Sequence, residues 1–350
     1  MAGELVLITG VSGHIGFRVL AEAVKSGYKA RAVVRKQAQI EKIKSTKSIQ
    51  PYADKVEFAL VPDLGADNVF DAHVNGVTYI IHVAAPQFTS VDVPIDVQEF
   101  AKPTIKFTEN ILKAASKAKS VKRVVITSSI TTLFTGVGIQ GDSDLVYNWE
   151  KPVAKDLVSP APEKAIGPVA YVISKVLSAQ SVLDYVATNK PHYSVANMLP
   201  GTTIGRNELA EDSKELMVGS NIVALAPLLG ISFPPTHSVF VHIDDAAISH
   251  IRALDVDIAP GTARNFIAVY NTAKNPDAFK WDDILDIVKR NFPGVLDSGA
   301  FPLGGSVPKN KTLVDSEEDE KILGLKFKTY EEACIDLVGQ FLQLAQAAKK

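Results

Sequence analysis

The chain has one cysteine, Cys334, in 350 residues. A lone thiol closes no intramolecular disulfide and builds no thiolate metal cluster. Histidine is sparse as well, at seven. No His-Glu-x-x-His or Cys-x-x-Cys spacing occurs, so metal catalysis is not expected. Neither sign of charge dominates: 37 Lys and Arg stand against 39 Asp and Glu, a formal net charge of -2. That balance offers no basic patch to nucleic acid or to an anionic membrane. No apolar run reaches the roughly 18 residues that span a bilayer. The first strand pattern starts within a few residues of Met1, which points away from a signal peptide. A cytoplasmic protein is the expectation. With 46% hydrophobic residues, the chain can bury a sizeable core in one large α/β domain or in a large domain with a smaller one attached.

What is present begins with glycine. Leu5–Thr9 reads as a short apolar strand covered on both faces. Gly10-x-x-Gly13-x-x-Gly16 follows, then a helical run to Lys25. Gly10 permits a sharp turn out of the strand. Gly13 permits close backbone approach to a pyrophosphate, and Gly16 permits close packing of helix on sheet. Ser12, Gly13, His14 and Ile15 form the loop and first helical turn, whose free N–H groups suit phosphate.

Strand and helix patterns then alternate. Strands are predicted at Leu5–Thr9, Ala30–Val34, Val56–Val61, Tyr79–Val83, Val121–Thr127 and Ser194–Met198. Helices are predicted near 14–26, 37–48, 65–74, 97–118 and 170–188. This alternation predicts a Rossmann-type, doubly wound parallel α/β sheet whose ligands bind beyond the strands' carboxyl ends. Residues 1–200, with returning segments near 239–255, are assigned to a nucleotide domain. Residues 201–350 are assigned mainly to a smaller α/β substrate lobe. Along that stretch, short segments are expected at Lys214–Leu229, Val239–Val241, Ala246–Leu254, Phe266–Tyr270, Trp281–Arg290, Glu317–Leu323 and Tyr330–Ala348, and the acidic run Asp315–Glu320 is expected to start a helix.

Tyr171 and Lys175 are four apart at the start of a helical run and so share a face. An ammonium beside a phenol should pull the phenol below its usual value of about 10. Ser129 closes the fifth strand pattern, where a hydroxyl can hold a carbonyl oxygen against the tyrosine. Arg35 and Lys36 follow the second strand, where an NAD enzyme usually places an acid. An arginine there favours a ribose 2′-phosphate, hence NADPH. His82 reads as a satisfied histidine at a sheet end, Asp244 and Asp245 as helix-capping residues, and Trp149, Trp281 and Cys334 as packing.

Taken in order, these segments resemble the extended short-chain dehydrogenase/reductases. They are most similar to the dihydroflavonol-reductase-like branch and its fungal NADPH-dependent methylglyoxal, aldehyde and ketone reductases. The resemblance runs through Thr9–Gly16, Val34-Arg35-Lys36, Val61–Leu64, His82–Pro86, Val121–Ser129, Tyr171–Lys175, Leu199–Gly201 and Ile322–Leu325. It implies that Tyr171 protonates the developing alkoxide, that Lys175 holds the nicotinamide ribose, and that Ser129 binds the carbonyl oxygen. It implies further that Arg35 clamps the 2′-phosphate and adenine, that Asp63 and Leu64 flank the adenine, that Ala84, Ala85 and Pro86 form a track under the central ribose, and that Val83 beside them binds the cofactor. Pro200, Gly201 and Thr202 would wall the nicotinamide. The substrate-pocket candidates are Phe88, Phe134, Met217 and Phe233. The implied partner is a small aldehyde or ketone, with the protein a monomer or homodimer. The Tyr147-Asn148-Trp149 stretch is a poor match to the signature of the plant enzymes. A hydroxysteroid or dihydroflavonol-type dehydrogenase shares the Ser-Tyr-Lys set and stays open as an alternative, as does a non-catalytic NADP(H) sensor.

Overall fold

The computed structural model describes residues 3–87, 93–134, 144–154, 158 and 160–347. The chain divides into two compact units. The first holds residues 1–136, 149–199 and 247–267, and the second holds residues 137–148, 200–246 and 268–350.

The first unit is built on a seven-stranded sheet. Its strands are β1 (Leu5–Thr9), β2 (Lys29–Val34), β3 (Val56–Leu60), β4 (Tyr79–His82), β5 (Arg123–Thr127), β6 (Ser194–Pro200) and β7 (Ala263–Ala268). The spatial order is β7-β6-β5-β4-β1-β2-β3. Strands β1 to β6 pair in parallel. The order reverses between β1 and β4, which is where such sheets open a ligand crevice. Helices α1 (His14–Lys25), α2 (Gln37–Lys44), α3 (Val97–Lys117) and α4 (Gly167–Asn189) carry the crossovers.

The local chemistry explains the ends. Asp96 caps α3 by accepting from the Glu99 N–H at 2.8 Å, the usual device for an orphan donor. Pro168 enters α4 in its first turn, where a missing N–H costs nothing. Helix α2 stops at Lys44 because Ser45 and Thr46 turn their hydroxyls back onto the Lys42 and Ile43 carbonyls.

One predicted helix is absent. Residues 65–74 form a series of turns. Asn68 takes φ +57°, which breaks a right-handed helical ladder. Phe70 and Val74 still reach the core, so the apolar spacing marks burial and not helix. The segment 214–229 holds two short helices, Ser213–Leu216 and Asn221–Leu229, parted at Gly219 with φ +78°.

One rung of the sheet sets up the site. Thr9 pairs with His82, His82 with Ile126, and Ile126 with Asn197. Two residues back along each strand, Leu7, Ile80, Val124 and Val195 join the core that includes Ile111 and Leu112 of α3 and Val182 of α4. Alternation therefore turns the Thr9 rung toward the same two helices.

The second unit has its own core, in which Phe240, Phe279, Trp281, Tyr330 and Cys334 are all buried. Its rings meet edge to face, with Phe240 and Phe279 centroids 4.7 Å apart and Phe279 and Trp281 centroids 5.2 Å apart. The Tyr330 hydroxyl donates to the Trp281 carbonyl at 2.9 Å. Among the described residues no helix is long and apolar enough to cross a membrane, and no group of three or more His, Cys, Asp or Glu could hold a metal ion.

Candidate active site

The glycine loop is shaped by contacts that exclude side chains at two positions and leave the third open. Gly10 has φ +77°, and a Cβ there would lie 2.7 Å from the Ala84 nitrogen. The ends of β1 and β4 thus touch through backbone. A Cβ at Gly16 would lie 2.1 Å from the Gly10 oxygen, so α1 rests directly on the turn. At Gly13 the nearest atom would be 3.4 Å away. Packing leaves room at Gly13, and no side chain caps the start of α1. Space and free helix N–H groups are what a phosphate needs, so the loop fits a dinucleotide. Ser12, His14 and Ile15 are half-buried beside it.

Further along the sheet's carboxyl edge, Arg35 and Lys36 are exposed. Their backbone N–H groups both donate to Gln39 Oε1, at 2.9 and 3.1 Å, which fixes the strand-to-helix turn. Asp63 is exposed and accepts from the Gly65 N–H at 2.8 Å. The Leu64 side chain turns into the core, which leaves only its backbone to flank an adenine. Val83, Ala84 and Ala85 are half-buried in the segment after β4, and Thr9 Oγ1 accepts from the Val83 and Ala84 N–H groups.

Ser129, Tyr171 and Lys175 come together at the end of β5. Thr131 donates to Ser129 Oγ twice, from its N–H at 3.3 Å and from its hydroxyl at 2.9 Å. Both lone pairs of Ser129 are then engaged, and its own hydrogen is left for Tyr171, to which it is hydrogen-bonded. Thr131, which sequence reasoning missed, thereby aims the serine. Its only sequence signal is its place two residues after a capping hydroxyl. Lys175 is buried and donates to the Thr127 carbonyl at 3.1 Å. Its ammonium lies 5.9 Å from the centroid of the Tyr171 ring.

The expected lowering of Tyr171 by Lys175 is not found. Burial pushes the Tyr171 phenol up to about 12, with only the Ser129 hydrogen bond opposing it. Burial likewise brings Lys175 down to about 8. Loss of water from a charged form outweighs an ammonium several ångströms away. Tyr171 therefore stands protonated at neutral pH.

Phe134 is wholly buried, so its ring presents no surface to a ligand. Met217 and Phe233 pack against the second unit's core, and Phe88 lies outside the described residues. Pro200 ends β6. Within the second unit the Gly201 N–H donates to the Ala268 carbonyl at 3.1 Å and the Thr202 N–H to the Val239 carbonyl at 3.0 Å. Asp244 and Asp245 are engaged with Lys328, through its ammonium and its backbone N–H respectively. His82, expected to be satisfied, is bonded on one ring nitrogen only among the described residues: Nδ1 lies 2.8 Å from Thr9 Oγ1, while Nε2 has no partner there.

Comparison with known proteins agrees with this fold. The model of the NAD dependent epimerase/dehydratase family matches residues 6–265. Ketoreductase CTB6 of Cercospora nicotianae is 32% identical over 356 residues, covering 99% of this chain and 97% of that protein. The crystal structure of Gre2 from Candida albicans in complex with NADPH superimposes with a TM-score of 0.79 at 19% identity, covering 97% of this chain and 99% of that one. Yeast methylglyoxal/isovaleraldehyde reductase Gre2, also complexed with NADPH, gives 0.74 at 20% identity, over 97% and 98% of the two chains. The chain belongs to the NAD dependent epimerase/dehydratase family, within the extended short-chain dehydrogenase/reductases.

Proposed function

We propose that this protein is an NADPH-dependent carbonyl reductase that converts an aldehyde or ketone to the alcohol. The observation that carries the reading is the hydrogen-bonded Ser129–Tyr171 pair with buried Lys175 behind it. Bound NADPH would supply the hydride. Ser129, held by Thr131, would turn the hydrogen it gives Tyr171 in the free protein toward the carbonyl oxygen as negative charge builds there. Tyr171 keeps its proton at neutral pH and gives it up only to a stronger base, and an alkoxide is one. A phenol poised at about 12 suits the reducing direction for that reason. Lys175 is a buried cation beside the pair and offsets the phenolate left after transfer.

The exposed Arg35 and Lys36, with no carboxylate at the end of β2, favour a 2′-phosphate over a free hydroxyl. The relative named a ketoreductase and the structural neighbours bound to NADPH support the same reading.

The test is to mix pure protein with NADPH and a panel of aldehydes, ketones and steroids and to follow loss of absorbance of the reduced cofactor. Turnover of one or more carbonyls is expected, and turnover of none refutes the assignment. Tyr171→Phe should retain NADPH binding while losing at least about 100-fold in kcat, the usual contribution of a proton donor.

A further inference from the structure

Beneath the Ser129–Tyr171 cluster lies a cavity that the chemistry above does not use. It sits between the Thr9 rung of the sheet and the inner faces of α3 and α4. Its polar lining includes His82, Ser128, Asn197, Thr108, Ser178 and Lys175, and its volume is about 10 Å³. That is the size of one water molecule.

Among the described residues, two of these side chains have a polar atom with no protein partner. His82 Nε2 and Ser128 Oγ are both fully buried and unbonded, and the two residues are 2% and 7% exposed. Others in the lining are satisfied. Thr108 donates to the Thr104 carbonyl, and its oxygen lies 3.2 Å from Ser178 Oγ. The neighbouring serines thus diverge in use: Ser129 is bonded to Tyr171, while Ser128 lines the cavity.

The tautomer of His82 follows from its neighbours. Thr9 Oγ1 accepts from two backbone N–H groups, at 3.2 and 3.3 Å. Its one hydrogen is left for His82 Nδ1, 2.8 Å away. Nδ1 is therefore an acceptor. Burial, and after it the charge of Lys175, bring the imidazole down to about 3, so the ring is neutral. A neutral ring with an accepting Nδ1 carries its proton on Nε2. A buried N–H donor, a buried hydroxyl and an ammonium then share one water-sized space. Leaving such groups unmet costs more than immobilising a water.

We propose that this cavity binds one water molecule as a fixed part of the protein. The water accepts from His82 Nε2–H and from the Lys175 ammonium and donates to Ser128 Oγ. His82 and Ser128 are thereby positioning residues for Lys175: they hold an acceptor against its charged form, and Thr127 holds another at 3.1 Å. The titratable groups facing Lys175 are Tyr171 on its own helix and His82 on β4. The polar side chains that the ends of β5 and β6 and helix α3 bring to the cavity are hydroxyls and one amide, Ile126 of β5 is apolar, and no carboxylate lines it. The water site stands on geometry alone, and its effect on turnover rests on the carbonyl-reductase reading.

A high-resolution crystal structure of the wild-type protein with NADPH tests the site. Density for one water within hydrogen-bonding distance of His82 Nε2, Ser128 Oγ and Lys175 Nζ is expected. A dry cavity overturns the proposal whether or not any carbonyl is reduced. Nitrogen-15 histidine spectra give a second measurement on the intact protein: His82 should stay neutral with its proton on Nε2 from pH 5 to 9, and a proton on Nδ1 overturns the proposal. The third arm is kinetic. In His82→Leu the alkaline limb of kcat/KM should move down by about one pH unit, a loss of about tenfold near pH 9 beyond any loss at pH 7. His82→Gln, which keeps a donor, should restore much of it. An unmoved limb in His82→Leu refutes the positioning role.

Discussion

Gly13→Ala and Gly16→Ala, three residues apart in one loop, should fail in opposite ways. At Gly16 a methyl group would lie 2.1 Å from the Gly10 oxygen, 2.5 Å from its carbonyl carbon and 3.0 Å from the Val11 nitrogen. All three are backbone atoms, so α1 must move away from the loop by about 1 Å to restore ordinary contact. Overpacking of that kind costs about 1–3 kcal/mol. At roughly 2–4 °C per kcal/mol for a domain of this size, the free protein should melt several degrees lower. At Gly13 the nearest atom would be 3.4 Å away, an ordinary contact, and φ -108°, ψ 169° suits alanine. As a helix cap alanine is worse than glycine by about 0.5–1 kcal/mol, and the lower entropy of the unfolded chain returns about 0.4–1 kcal/mol, so the melting temperature should move by about 1 °C or less. The same methyl group would stand where phosphate approaches the backbone. One lost charge-assisted bond is worth about 1.5–3 kcal/mol, or roughly 10- to 150-fold in NADPH affinity. Thermal melts of the free proteins and fluorescence titration with NADPH separate the two effects. The argument fails if Gly13→Ala melts together with Gly16→Ala, or if it binds NADPH as the wild type does.

Three further outcomes are expected. Arg35→Asp should weaken NADPH by roughly 10-fold or more, the loss of a charged contact to phosphate, and change NADH little; equal effects on the two would make Arg35 a surface residue only. Lys175 is brought down to about 8 by burial, a displacement worth about 3 kcal/mol. Its folded pKa lies below the unfolded value, so the cost is full below about pH 8 and is relieved as pH rises toward 10. Lys175→Met should accordingly be the more stable protein at pH 7, with the difference closing by pH 10 in paired urea melts. Cys334 is wholly buried and its thiol is pushed up by burial, so a disulfide-exchange reagent should label it only after denaturation; prompt labelling of the native protein would contradict this packing.

Much of the sheet was legible because the signals were local. The bounds of β1 and the region of each strand to β6 follow from apolar runs closed by Gly, Pro or polar residues. The glycine loop was readable because each glycine answers to atoms only a few residues away or to the adjoining strand end. Residues 65–74 misled because Phe70 and Val74 repeat at helical spacing while Asn68 turns the chain left-handed. The spacing records which side chains are buried, and a set of turns can bury them as well as a helix does. Spacing is equally silent at Phe134, since an aromatic just after β5 reads the same whether it faces a ligand or the core, and here its ring is wholly buried.

The site divides along the same line. The identities Ser129, Tyr171 and Lys175, the open glycine at 13 and the absence of an acid after β2 are properties of sequence and short-range geometry. The direction of the Tyr171 shift is not, because it depends on how much water the folded chain removes from the phenol. Thr131's grip on Ser129 and the half-satisfied ring of His82 are equally out of reach of spacing. The His82 state needs Thr9, 73 residues away, brought beside it by the pairing of β1 with β4. By itself the sequence determined which chemical groups line the carboxyl edge, since strand ends and helix starts place them there. Only the tertiary structure decided their protonation and aim, because desolvation and the direction of each hydroxyl hydrogen are set by neighbours distant in the chain.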